Sequence, residues 1–423
     1  MIIGNRINFN PYKINYLSFQ AENSSKSFDK VPLNKEPVPK DLQDLFCAIP
    51  KTDIHLHLSG SAPLPILKDI MKKDGLSPKE IKEKTTIPDD YKNLDDFLKV
   101  YYNTAWCLRT PKEFKRASYQ LCKDAAKENI KYLEIRTSVL DKKGTPDEIL
   151  QAVTDGIKKA KNELAEKGFK QTGKIIVLAQ RHQSPEKSLE HAKIAAEWTK
   201  KPNSLVVGFD LAGSENQFPS TIHEKAIRYA KENGLKVTIH AGEETVSGPF
   251  NAVESMINAL DSGADRLGHA IHVLENPVLL KRVVDGQIPV ESTPICHYEL
   301  NNVSNMKHHP IKRKLDAGVI VSVSTDNRTL SKTNCTREFT ELYRNNVITG
   351  WDDIKKLVIN GAKSAFLPKA EKQQLIDEYN AELKTIEETP KYKEAIDKHL
   401  TPLKESISFA GRQIRSFFKQ NAA

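Results

Sequence analysis

Eight apolar runs of strand length, separated by helical stretches, constrain this chain more than any other feature. They occupy residues 53–58, 132–136, 175–179, 205–210, 236–240, 266–269, 288–291 and 319–324. The intervening segments carry helix signals. Thr145-Pro146-Asp147-Glu148 places threonine at an N-cap, proline at the first helical position and glutamate two further on. Ser184-Pro185-Glu186 repeats the start, and Val253, Met256, Ile257 and Leu260 mark one helix face. Apolar strands alternating with amphipathic helices predict a parallel sheet covered on both faces. Eight units predict an α/β fold, a closed (β/α)8 TIM-type barrel. The alternative is an open doubly wound sheet, but no GxGxxG follows any strand.

The 423 residues divide into three parts on this reading. Residues 1–40, rich in Asn, Ser and Lys with Pro32, Pro37 and Pro39, read as a poorly ordered arm whose aromatics are Phe9, Tyr12, Tyr16 and Phe19. Residues 41–385 form the barrel, with a long helical insertion after the first strand, up to about Ile130. Its Phe97, Leu98, Tyr101, Tyr102 and Trp106 are read as a lid or substrate wall, or as packing for the insertion itself. Residues 386–423 read as a C-terminal helical extension. There Leu403, Ile407, Ala410, Ile414 and Phe417 form an apolar stripe, with Arg412, Arg415 and Lys419 on other faces.

Composition excludes several classes. No apolar run is long enough for a membrane span, and the first residues lack the apolar core of a secretory signal. The net charge of +9 is spread along the chain rather than clustered, so no nucleic-acid surface is expected. Five scattered cysteines without a CxxC pair fit free thiols in a reducing compartment, hence a cytoplasmic location.

The polar residues at the strand ends carry the chemistry. His55 and His57 are two apart on a strand, so they share a face. His240 ends the fifth strand, and Asp326 follows the eighth. In a barrel these ends converge on one mouth, where three imidazoles and a carboxylate can surround one divalent ion. Nitrogen and oxygen donors without thiolate suit Zn²⁺, with Fe²⁺, Co²⁺ and Mn²⁺ as alternatives. His269 ends the sixth strand, and Glu243 lies three residues beyond His240. A metal, an orienting histidine and a carboxylic acid are the parts of a metal-assisted hydrolysis.

His55-Leu56-His57, Asp210-Leu211-Ala212-Gly213, His240-Ala241-Gly242-Glu243, Gly268-His269 and Ser324-Thr325-Asp326-Asn327 occur in this order on successive strands. Together they resemble the adenosine deaminase family of the metal-dependent amidohydrolases, over roughly residues 51 to 370. The resemblance implies one zinc per chain, held by His55, His57, His240 and Asp326. It implies that Glu243 protonates the purine N1 and that His269 orients and deprotonates the attacking water. It places the Gly213 N–H on the purine N3 and Asn327 on N7, with Ser59 at the ribose 5′-hydroxyl. The implied reaction is hydrolysis of adenosine or 2′-deoxyadenosine to the inosine product and ammonia. Adenine or an N6-modified adenosine monophosphate is the alternative substrate.

Three positions depart from the family pattern. Asn327 stands where many members have a second aspartate, and its amide always carries donors. Ser59 replaces an aspartate. Thr293-Pro294-Ile295-Cys296-His297 replaces the usual Cys-Pro-x-Ser-Asn, leaving His297 as either an extra polar group near the mouth or a packed histidine. His297-Tyr298-Glu299 lacks the PCxxC of the cytidine-deaminase type of zinc site. His223-Glu224 lacks the second histidine of HExxH. The pair His308-His309 is expected to be solvated, and His182, His191, His272 and His399 have no assigned partners.

Overall fold

A computed structural model describes residues 30–87, 94–244 and 251–400. The aromatics of the first 29 residues and the apolar stripe beyond residue 400 lie outside the described residues. Eight parallel strands form one sheet whose spatial order follows the chain. They are β1 (Lys51–His57), β2 (Ile130–Thr137), β3 (Thr172–Gln180), β4 (Val206–Ala212), β5 (Lys236–Ala241), β6 (Arg266–His269), β7 (Val290–Ser292) and β8 (Val321–Val323). The last strand returns to the first. The Asp326 N–H donates to the His55 carbonyl at 2.8 Å, and the His57 N–H donates to the Asp326 carbonyl at 2.9 Å. Those two bonds place the segment after β8 beside β1 and give the (β/α)8 barrel its closure.

The helix starts follow local chemistry. Thr145 and Glu148 form a reciprocal capping box at the start of the helix Pro146–Ala165. Ser184 accepts the Lys187 N–H at the start of Pro185–Thr199. In the helix Ala252–Asp261, Met256 and Leu260 are buried, with Val253 and Ile257 partly buried against the same core.

Strand alternation sorts side chains into two interiors. Ile54, Leu56, Leu133, Ile135, Phe209, Leu211, Val237, Ile239 and Leu267 belong to the large apolar core. The alternate residues Glu134, Arg136, Asp210, Arg266 and Glu291 are fully buried and charged. They satisfy one another. Arg136 donates to Asp210 at 2.9 Å and to Glu291 at 2.8 Å, while Arg266 donates to Glu291 at 2.6 Å and to Glu134 at 2.5 Å. Removing one partner of such a network leaves an uncompensated buried charge, at about 3–5 kcal/mol.

Two stretches are tied in more closely than their composition suggested. Residues 30–39 were assigned to the arm, yet the Val31 N–H donates to the Ser304 carbonyl at 2.8 Å and Val38 is buried. The helix Lys369–Glu388 runs through residues 385 and 386, where the C-terminal extension was placed to begin. The next helix, Pro390–His399, brings His399 within 3.1 Å of Asp41 on the helix Lys40–Ala48.

Candidate active site

The C-terminal strand ends gather His55, His57, His240, His269 and Asp326 within one buried cluster, joined by Glu243 from the turn after β5. The donor atoms of His55, His57 and Asp326 all lie within 4.8 Å of one another. His240 Nε2 is 3.1 Å from His57 Nε2, and His57 Nε2 is 3.3 Å from Asp326 Oδ1. Two of these backbones are held in a left-handed conformation: φ is 65° at His269 and 60° at Asp326. Strain of this kind costs about 1–3 kcal/mol and persists only where surrounding bonds over-determine it.

Buried carboxylates fix which nitrogen faces the site. His55 Nδ1 is 2.6 Å from Glu291 Oε2, and His240 Nδ1 is 3.1 Å from Asp210 Oδ1. Each Nδ1–H donates outward, so each Nε2 presents a lone pair inward. His55 Nε2 is buried with no hydrogen-bond partner. Converging bare nitrogens beside a carboxylate are poorly stabilised by one another, and a divalent cation satisfies all of them. The donor set therefore fits a metal ion held by His55, His57, His240 and Asp326. Burial holds the pKa values of His55, His57 and His269 well below the usual histidine range, which keeps them neutral.

Glu243 lies 3.4 Å from His269 Nε2. Burial pushes its carboxyl well above the usual range, and the charges of Asp326, Glu244 and Glu215 push the same way. Both effects favour the protonated acid over the carboxylate. Its backbone is anchored by Glu215, which accepts from the N–H groups of Gly242 at 2.8 Å, Glu243 at 2.6 Å and Glu244 at 2.8 Å. Gly242 has φ 71°, and a Cβ there would meet Met256 Sδ at 2.5 Å, so only glycine fits.

One pocket is lined by His57, His240, Glu243, His269, Asp326, Gly213 and Asn327, and also by Phe97, Leu98, Tyr101 and Leu300. Phe97, Leu98 and Tyr101 belong to the helix Leu94–Cys107, so the insertion supplies a wall of the pocket. Trp106, 55% exposed, is not among the residues that line it. Asn327 donates to Asp326 Oδ1 at 2.7 Å and covers Gly60, where an added Cβ would lie 1.8 Å from Asn327 Oδ1. Ser59 is buried and hydrogen-bonded to Tyr101.

Several functional neighbours escaped the sequence reading. Glu291 and Asp210 orient His55 and His240, Arg136 bridges those two carboxylates, and Glu215 anchors the backbone of Glu243. A signal existed, since charged residues interrupt strands that are otherwise apolar. His309 corrects another expectation. It is buried and hydrogen-bonded to His297 at 2.9 Å, whereas its neighbour His308 is exposed. His191 bonds Ser138, His272 bonds Glu275 and His182 bonds Tyr102.

An eight-stranded parallel barrel with a histidine–carboxylate cluster at its C-terminal mouth defines a metal-dependent hydrolase of the amidohydrolase type. The model of the adenosine deaminase family matches residues 50–382. An adenosine deaminase of Clostridium kluyveri is 32% identical over 358 residues, covering 82% of this chain and 99% of that protein. The chain belongs to the adenosine deaminase family. Solved structures share the fold. An amidohydrolase from Burkholderia ambifaria with bound zinc has a TM-score of 0.72 at 21% identity, covering 85% of this chain and 99% of that one. The N6-methyl-AMP deaminase of Arabidopsis thaliana has a TM-score of 0.69 at 21% identity, covering 80% and 98%.

Proposed function

We propose that this chain hydrolyses adenosine and 2′-deoxyadenosine to inosine and 2′-deoxyinosine with release of ammonia, and that its metal is a single zinc ion on His55, His57, His240 and Asp326. The observation that carries the reading is the placement of Glu243 3.4 Å from His269 Nε2, on the same pocket wall as the ligand cluster. When bound, the ion supplies Lewis acidity that brings the pKa of a water molecule toward neutrality.

This chain's own residues do the rest. Glu243 holds its proton through burial and hands it to the purine N1, which makes C6 electrophilic. His269 orients the attacking oxygen by a hydrogen bond through Nε2, the nitrogen that faces Glu243. The Gly213 N–H meets N3, and an Asn327 amide N–H meets N7. Phe97, Leu98 and Leu300 give the base an apolar wall and exclude water. The five cysteines are free, which fits a reducing cytoplasmic setting.

The test is the ultraviolet absorbance of the purified protein with adenosine. The spectrum should shift to that of inosine, stop shifting after metal stripping, and shift again on zinc addition. Absence of a shift with zinc bound would overturn the adenosine assignment.

One observation favours a second substrate. Ser59, paired with Tyr101, leaves no carboxylate at the implied 5′ position. An uncharged group there repels a 5′-phosphate less than aspartate would, which favours an N6-modified adenosine monophosphate. If Ser59→Asp raises adenosine turnover while a phosphorylated substrate loses ground, this second reading gains support.

A further inference from the structure

Four histidines converge on this site, and two different triads of donor atoms include His55: one with His57 and Asp326, one with His240 and His269. Position alone does not distinguish His269 from a metal ligand. A hydrogen-bonded line of imidazoles behind it does. His269 Nδ1 is 3.0 Å from His297 Nε2, and His297 Nδ1 is 2.9 Å from His309 Nε2. All three rings are buried.

The far end of the line fixes its polarity. The Ile311 backbone N–H donates to His309 Nδ1 at 3.2 Å. A backbone N–H is always a donor, so His309 Nδ1 presents its lone pair and the ring proton sits on Nε2. That proton points at His297 Nδ1, which must accept, so the His297 proton also sits on Nε2. It points at His269 Nδ1, which accepts in turn. The Thr293 hydroxyl, 3.1 Å from the same Nδ1, donates there as well. The proton of His269 is left on Nε2, the atom that faces Glu243 and the pocket and has no hydrogen-bond partner.

We propose that His297 and His309 are positioning residues that hold His269 in its Nε2–H tautomer, making it the hydrogen-bond donor of the site and excluding it from the metal's ligands. The contrast with its neighbours is chemical. His55 and His240 face carboxylates through Nδ1, keep the proton there, and turn a lone pair inward. His269 faces an imidazole donor through Nδ1 and turns an N–H inward. One cluster thus contains two kinds of histidine, sorted by what stands behind each ring.

Because the Nδ1 of each ring accepts along this line, each ring carries a single proton, on Nε2. Lys314 Nζ donates to the His269 carbonyl at 3.0 Å, which holds the left-handed backbone that aims the ring. The inference rests on the proposed deaminase reading only for what the N–H does. There it hydrogen-bonds the attacking oxygen and the negative charge that grows on it; because Nε2 already carries its proton, the ring takes none from the water, and this orienting role replaces the deprotonation that the resemblance implied.

The experiment is ¹⁵N–¹H correlation of the ring nitrogens in histidine-labelled, metal-loaded protein, with His269 assigned by its loss in His269→Gln. The expected result is a protonated Nε2 and a bare Nδ1 on His269. A protonated Nδ1 overturns the proposal, whatever the substrate. Two variants test the line. His297→Leu removes the donor, so the tautomer should become mixed and kcat should fall about tenfold or more with KM nearly unchanged. His297→Gln can donate its amide N–H to His269 Nδ1 but cannot pass a proton along, so it should restore both the tautomer and most of kcat. Restored tautomer without restored kcat would overturn positioning in favour of proton transfer. If His297→Leu fails to fold, the wild-type spectrum and His297→Gln still decide. A wild type inactive on adenosine but showing the Nε2–H tautomer would overturn the substrate reading and leave this one standing.

Discussion

Glu215 and Glu244 hold each other's backbones. The Glu215 carboxylate accepts the N–H of Glu244 at 2.8 Å, and the Glu244 carboxylate accepts the N–H of Glu215 at 2.7 Å. This exchange ties the loop after β4, which carries Gly213, to the loop after β5, which carries Glu243. Two candidate substrate contacts on different strands are thereby locked in one frame.

Glu215→Ala is expected to break that frame. Three backbone N–H groups lose their acceptor, at about 1–3 kcal/mol for each one left buried without a partner. Displacing the acid by about 1 Å costs on the order of 100-fold in rate. Thermal denaturation and kcat measured side by side check this, and wild-type kcat in a destabilised variant would separate stability from placement.

Glu243→Gln keeps the shape of the acid and a donor but removes the transferable proton. Activity should fall by about 10²–10⁴-fold with the melting temperature nearly unchanged. In the proposed reaction Glu243 acts in its protonated form and burial raises its pKa, so wild-type activity should decline as pH rises past that elevated value. Steady-state rates across pH read this, and activity rising on the alkaline side would contradict the role.

Metal removal should act differently from either substitution. A chelator should abolish deamination, and His240→Ala should lower metal content measured by atomic emission to well below one per chain. Zinc should rescue the stripped wild type. Full metal content in His240→Ala would remove that residue from the ligand set.

Lys51 offers a test away from the site. Its buried ammonium donates to the carbonyls of Cys47, Ile49 and Glu128 at 3.1, 2.8 and 2.7 Å. Burial pulls its pKa from 10.5 down to about 8, although the charge of Glu128 opposes this. Between those two values the unfolded chain binds the proton and the folded chain does not. Stability should therefore rise with pH from about 8 to about 10.5, by on the order of 3 kcal/mol at most. Lys51→Met should lack this rise and should be less stable below pH 8, where the three carbonyls lose their donor. Urea denaturation at pH 7.5 and pH 10 on both proteins measures it.

The sequence by itself determined the barrel and the core of the site. Strand-length apolar runs have one economical arrangement when amphipathic helices separate them, and residues at strand ends share a mouth in any such arrangement. His55-x-His57 carried a local geometric instruction, because a two-residue spacing on a strand puts both rings on one face. His240 and His269 stood at strand ends, with Glu243 and Asp326 just beyond them, whereas Asn327 entered the candidate site only through the family resemblance. What only tertiary structure decided is how each of those groups is held. Asp210 lies 30 positions from His240, and Glu291 lies 236 from His55. The helix Leu94–Cys107 became a pocket wall only when the insertion folded back. His309 looked like a solvent-facing residue beside His308, yet burial against His297 turned it into the anchor of a hydrogen-bond line. Patterning fixes which face of a strand a residue occupies. It does not fix which distant side chain waits across the barrel, and for a histidine that partner decides whether a lone pair or a proton meets the substrate.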